Sequence, residues 1–196
     1  HRDPRAHAIA RRGIDLSEAR VGTTAIGAAL CELRPVWLHR GEHFFDTNGS
    51  YSCAGAPLFD PQGRCIGMLD LTGVDVPERP ELRHVVARSA RALEDALLQQ
   101  LPGALLLRLN WPGAQLGSEA DGLMVLDTEG YLLGCNSEAR QLVPMPQSVP
   151  GTQPHATDLL ALDWPCLFDA AGHGRRIELP LWSGLRLQGL AQRNTA

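Results

Sequence analysis

Glycine, alanine and threonine crowd two short stretches of this chain, Gly22-Thr-Thr-Ala-Ile-Gly-Ala-Ala-Leu30 and Ser52-Cys-Ala-Gly-Ala-Pro-Leu-Phe-Asp60, and Gly63–Gly73 follows at once. Small residues at that density belong where the backbone passes close to another backbone or to a ligand. The first stretch predicts a capped helix. Thr23 or Thr24 accepts a bond from a free amide, and Ala25, Ile26, Ala29, Leu30 and Leu33 then fall at helical spacing. The other two predict a hairpin: apolar Ala56–Phe59, a turn through Asp60-Pro-Gln-Gly63, and apolar Ile66–Leu71.

These segments, with Arg34-Pro35 and Gly41-Glu-His-Phe44 between them, resemble the C-terminal half of a GAF sensory domain over residues 15–73. The version they are most similar to occurs in bacterial sigma-54-dependent transcriptional activators of the acetoin-catabolism regulator type. Thr24 stands where that pattern has Asn, Gly55 sits in the small-residue pair, and Thr72 replaces Ser. Several motifs in one order are far more specific than a single short pattern. The resemblance implies a helix and two strands before this block. Nothing in His1–Arg20 supplies them, so the likeness starts mid-domain, and an incomplete sheet exposes edges that invite another chain.

There is no lysine; all 18 basic residues are arginine. That excludes a Gly-x-x-x-x-Gly-Lys phosphate loop and a lysine Schiff base from these residues. The ATPase and helix-turn-helix that such activators carry are therefore not expected here. A net charge of −4 gives no general attraction to nucleic acid or anionic membrane. No apolar run approaches a membrane span, no signal peptide opens the chain, and five cysteines without paired spacing fit a reducing cytoplasm.

Further along, Ala6–Arg12 predicts a short helix and Ser17-Glu18 a turn. Leu82, Val85, Val86, Ala90, Leu93, Leu97, Leu98 and Leu101 keep a three-to-four spacing that predicts a helix over 81–101, stopped by Pro102-Gly103. Arg83, Arg88, Arg91, Glu94 and Asp95 fall largely off that stripe. The stripe has two uses: packing on the GAF-like sheet, or also serving as a dimer seam. Ala104–Leu109 reads as a strand returning to the same sheet, and Asn110–Gly113 as the boundary after it. Beyond it, Leu123–Asp127, a turn at Thr128–Gly130 and Tyr131–Cys135 predict a hairpin, and Asn136 caps a helix through Ser137–Val143. This order resembles the start of a PAS domain, with Ile177–Leu181 and Leu185–Leu190 as a later hairpin. Pro144, Pro146, Pro150 and Pro154 interrupt the middle, which leaves Asp158–Leu162 as the main helix there and no roomy PAS pocket.

Trp37, Phe44, Phe45 and Tyr51, four of the ten aromatics, fall within fifteen residues, and the GAF resemblance places Cys53 where ligands sit. Trp37, His43, Phe44, Tyr51 and Cys53 are the candidate ligand-binding residues, suited to apolar contact with one or two fixed polar groups. Ordinary core is the competing use of these aromatics. Cys53 with Cys65 also admits a thiol-dependent sulfoxide reductase, against the more common use of free cysteine as a small hydrophobe. His39 and His43 lack a third ligand, so no metal is expected, and no bound cofactor either. Asp60, Asp70 and Asp75 are read as turn residues, the remaining histidines, His1 among them, as solvated, and no catalytic constellation appears.

The chain is thus expected to be α+β: a partial GAF-like antiparallel sheet with flanking helices over residues 1–110, including the helix at 81–101, followed by a PAS-like α+β domain over residues 117–192. The implied function is the cytoplasmic signal-sensing region of a transcriptional activator. It would bind a small-molecule effector, act as a homodimer, and touch neither nucleic acid nor membrane directly. The alternatives are a ligand-independent dimerisation module and the thiol reductase.

Overall fold

The computed structural model describes residues 3–146 and 152–194, so Pro150 and His1 lie outside the described residues. The chain divides into two compact units, His1–Leu58 with Cys65–Ala90, and Phe59–Arg64 with Arg91–Ala196. Helix and antiparallel sheet coexist in the chain, as an α+β class requires.

The first unit holds α1 (Pro4–Ile9), α2 (Glu18–Val21), α3 (Ala25–Glu32), β1 (Val36–His39), β2 (Tyr51–Phe59) up to Leu58, β3 (Cys65–Val74) and the part of α4 (Leu82–Gln99) up to Ala90. Thr24 caps α3, its hydroxyl oxygen accepting from the Gly27 amide at 3.1 Å, and Leu33 ends the helix in the left-handed region at φ 51°. The sheet runs β1-β2-β3, with Val36 opposite Gly55 and His39 opposite Ser52.

Strand β2 explains the small-residue block. Successive side chains point to opposite faces. Ala54 and Ala56 pack with Val86 and Ala90 of α4 on one face. On the other, a Cβ built at Gly55 would stand 2.7 Å from the Ala25 carbonyl oxygen of α3. Ser52 through Pro57 are all buried. Both faces are covered, and at Gly55 the α3 backbone leaves no room for a side chain.

In the second unit, the 59–64 turn is held by Asp60, whose carboxylate accepts from the Gln62 and Arg64 amides at 3.0 and 2.9 Å. Strands β4 (Leu105–Asn110), β5 (Gly122–Leu126), β6 (Leu132–Cys135), β7 (Arg176–Pro180) and β8 (Arg186–Arg193) form an antiparallel sheet in the order β6-β5-β4-β8-β7. Helices α5 (Ser137–Leu142), α6 (Ala156–Leu159) and α7 (Trp164–His173) complete the unit. One face, through Leu105, Leu107, Met124 and Leu187, packs with Leu159, Leu160 and Leu167 in the main core. The other places Leu123 and Val125 against Leu98 of α4.

A buried polar junction ties α4, β5 and α5 together. Asn136 Oδ1 accepts from the Leu123 and Ala139 amides, both at 2.9 Å. Its Nδ2 donates to Asp95 Oδ1 at 2.8 Å and to the Asp121 carbonyl at 3.0 Å. Beside it Ser137 donates its hydroxyl to Glu94 at 2.7 Å, and Arg91 pairs with Glu138 at 3.0 Å. Every donor and acceptor of the Asn136 amide is thereby used.

Four expectations change. Ala104–Leu109 does not return to the first sheet: β4 lies between β5 and β8, and Asn110–Gly113 begins a loop inside the second unit. Alternating leucines specify a strand but not its partner. The helical stripe is split. Val86, Ala90, Glu94 and Leu98 form the buried line, while Val85, Leu93 and Leu97 are 40–48% exposed. Glu94 sits in that line because Ser137 and the Phe59 amide satisfy it. The chief helix of the proline-rich middle is α7, with α6 only a four-residue turn before it. Pro165 in its first turn and Gly174 at φ 59° bound α7. Asp70, read as a turn residue, lies mid-strand in β3.

Candidate functional site

Parity on β2 decides which side chains meet in the first unit. Cys53 shares the face of Gly55, toward α3, and Asp70 and Thr72 on β3 join it. Between these strands, α1 and α3 lies a cavity of about 360 Å³. Ile9, Leu16, Val21 and Ile26 give it apolar walls. His7, Thr24, His43, Asn48, Tyr51, Cys53, Asp70 and Thr72 are its polar lining residues. A cavity of this size, apolar with a few convergent polar groups, is what a small ligand needs.

The polar end is only partly satisfied. Thr72 Oγ1 stands 2.6 Å from Asp70 Oδ2 and 3.3 Å from Cys53 Sγ. A hydroxyl has one proton, and the shorter contact takes it, which leaves the thiol to donate to Oγ1. His43 Nδ1 lies 3.0 Å from the Arg40 carbonyl, which only accepts, so that nitrogen carries a proton. Asp70 Oδ1 and His43 Nε2 are buried without a partner. Native interiors rarely tolerate this, and each such atom costs stability.

Burial raises the Asp70 carboxyl above its usual range, opposed by the Thr72 hydrogen bond and by the charge of His43. Burial likewise pushes the Cys53 thiol up to about 11; the Thr72 contact opposes this and the Asp70 charge adds to it. An acid whose folded pKa is raised favours folding fully below its unfolded pKa, and that stabilisation is lost as pH rises through the folded value. Asp70→Asn is therefore expected to raise the melting temperature at pH 7 and to give no gain below the ordinary aspartate value of 3.8. Melting curves across that range check this; an equal gain at both ends would rule out ionisation as the cause.

Of the five candidate residues, His43, Tyr51 and Cys53 line the cavity. Two do not. Trp37 faces the other way because it is opposite Ala54, and it packs against the Ala54, Ala56, Val86 and Ala90 cluster. Phe44 is 73% exposed, turned outward next to the inward His43. The reading from sequence missed Asp70 and Thr72. The signal was present: polar residues two apart inside an apolar strand share one face. The wall from α1 left no such signal, for no residue of that helix is buried.

Cys53 and Cys65 form no redox pair. Cys65 adjoins the hairpin turn opposite the end of β2, six residues from Cys53, a separation of roughly 20 Å along a strand. A thiol held mostly protonated is also a poor nucleophile. Among the described residues no group of three or more His, Cys, Asp or Glu side chains is placed to hold a metal ion. Nor is any described helix long and apolar enough to cross a membrane.

The segment recognised by comparison takes in most of the unit that carries this cavity. Residues 6–95 match the family described as the MimR N-terminal domain. The chain is 29% identical over 169 residues to the acetoin catabolism regulatory protein of Cupriavidus necator, covering 84% of this chain and 25% of that protein. It is 38% identical over 88 residues to MimR of Mycolicibacterium smegmatis, a propane 2-monooxygenase operon transcriptional activator, covering 44% and 15%. AcoR of Bacillus subtilis, the acetoin dehydrogenase operon transcriptional activator, is 25% identical over 146 residues, covering 72% and 24%. The class to which these relatives belong is that of transcriptional regulators, not enzymes. This chain spans about a quarter or less of the length of each.

Proposed function

We propose that this chain is the signal-receiving part of a sigma-54-dependent transcriptional activator, with a GAF-like first unit that binds a small effector and a PAS-like second unit. The observation that carries the reading is the cavity with two unpartnered buried atoms, Asp70 Oδ1 and His43 Nε2. A ligand that completes those bonds stabilises the arrangement around it. It shifts the population of states only in so far as it binds one state better than another. The activator names of the relatives supply the regulatory context. In this reading the protein works in the cytoplasm, and DNA contact belongs to other parts of the regulator.

The exposed apolar residues Val85, Leu93 and Leu97 on α4 favour a second property, association of two copies along that helix. It does not compete with ligand binding.

Cys53 is a built-in reporter of the cavity, and Cys135, buried in the second unit, is its control. With N-ethylmaleimide and peptide mass mapping, cavity ligands from a panel of small neutral molecules are expected to slow Cys53 labelling several-fold. Cys135 should be unaffected. If no compound protects Cys53 selectively, the cavity is not a ligand site.

A further inference from the structure

The same cavity also indicates what it binds, an inference that rests on the sensing role just proposed. We infer that the ligand is an uncharged alcohol with a compact apolar body of about one ring, its hydroxyl seated between Asp70 and His43.

The argument begins with charge. No arginine lines the cavity, and its one carboxylate, Asp70, has an unpaired oxygen. An anionic ligand would meet the like charge of Asp70 in a desolvated site with no arginine among the lining residues to balance it. Carboxylates and phosphates are excluded on that ground.

The proton inventory comes next. His43 holds one proton on Nδ1, committed to Arg40. Asp70 Oδ2 is committed as an acceptor to Thr72. The polar atoms left without a partner at this end are Asp70 Oδ1 and His43 Nε2, and when the pair holds one further proton, one atom donates and the other accepts. A ketone only accepts and an ammonium only donates, so each leaves one of the two unsatisfied. A hydroxyl does both, whichever partner carries the proton. It is the smallest group that completes both bonds.

Shape fixes the rest. Ile9, Leu16, Val21 and Ile26 supply aliphatic wall, and the volume of about 360 Å³ is at the lower end for ligand cavities. A ring-sized hydrocarbon body gains burial there, whereas a longer polar molecule strands its other groups.

The test is a matched ring series measured by calorimetry on the unaltered chain: cyclohexanol, cyclohexanone, cyclohexylamine, methylcyclohexane and cyclohexanecarboxylate. Cyclohexanol is expected to bind at least about 10-fold more tightly than each of the others, the size of one net hydrogen bond to a buried partner. Asp70→Ala and His43→Phe should each bring its advantage over methylcyclohexane below about 3-fold, again by loss of that bond. Equal binding of cyclohexanol and methylcyclohexane would overturn the alcohol assignment and leave the cavity a ligand site. Tightest binding of the amine would overturn it in favour of an organic cation on Asp70. If no ring compound binds while another small neutral molecule protects Cys53, the ring-sized alcohol falls and the sensing role stands; if nothing protects Cys53, the sensing role itself falls. The ligand series on the native chain decides the question even if a variant fails to fold.

Discussion

Gly55→Val should destabilise the first unit by about 2–3 kcal/mol, at the upper end of what overpacking costs. A side chain at this position would begin 2.7 Å from the Ala25 carbonyl oxygen and 2.7 Å from the Met68 methyl. The Met68 end can swing aside; the α3 backbone cannot without moving the helix. Further valine atoms on Cβ enlarge the conflict. Gly67→Val is the matched control, because a Cβ there meets nothing within 4 Å and valine suits a strand. Urea denaturation followed by circular dichroism compares the two. If both variants unfold at the same midpoint, close approach of α3 to β2 is not what limits residue size here.

Asn136→Ala is expected to cost the second unit about 3 kcal/mol, through two losses that arise together. The helix cap on Ala139 disappears, worth about 1 kcal/mol. The buried Leu123 amide loses its acceptor, and Asp95 and the Asp121 carbonyl lose a donor, for a further 1–3 kcal/mol or so. Asn136→Asp separates these effects. It keeps the acceptor for Leu123 and Ala139 but sets a carboxylate against Asp95, so its deficit should shrink as pH falls and both acids protonate. The comparison is made by denaturation at pH 7 and pH 4. A neutral Asn136→Ala would mean that water replaces the side chain at no cost.

The strands and caps were legible in the sequence because their signals are local. Thr24 and Asn136 each precede an apolar helical run and hold a free amide in the structure. Asp60 and Gly63 set the hairpin turn with their own backbone. Partner choice was not legible. Leu105, Leu107 and Leu109 fit any apolar sheet face, so the pairing of β4 with β5 and β8 had no signature within six residues. The stripe on α4 misled for a related reason. Periodicity counted Val85, Leu93 and Leu97 as core and Glu94 as surface. A charged group is buried where neighbours satisfy it, and those neighbours, Ser137 and Phe59, are far along the chain.

The candidate site divides in the same way. His43 and Tyr51 lay within the short aromatic stretch, and Cys53, just beyond it, was singled out by the family resemblance. Asp70 was assigned to a turn because aspartate in a glycine-rich segment usually caps its own backbone. Only the alternation with Leu69 and Leu71 shows that it shares a face with Thr72. Trp37 and Phe44 were near in sequence but face elsewhere, Trp37 by strand parity onto the other side of the sheet and Phe44, outside any strand, to solvent.

Helix α1 forms one side of the chamber yet buries none of its own residues. What fastens it is peripheral: Arg5 to Asp75 at 2.7 Å, and the Tyr51 hydroxyl to the Arg5 carbonyl at 3.4 Å. Exposed ion pairs of this kind are screened by solvent and hold weakly. In the sensing role proposed above, a ligand could enter by a brief lifting of this surface flap with the sheet left intact. Its dwell time would then be set by its own contacts rather than by unfolding, as suits a receptor that follows a changing concentration.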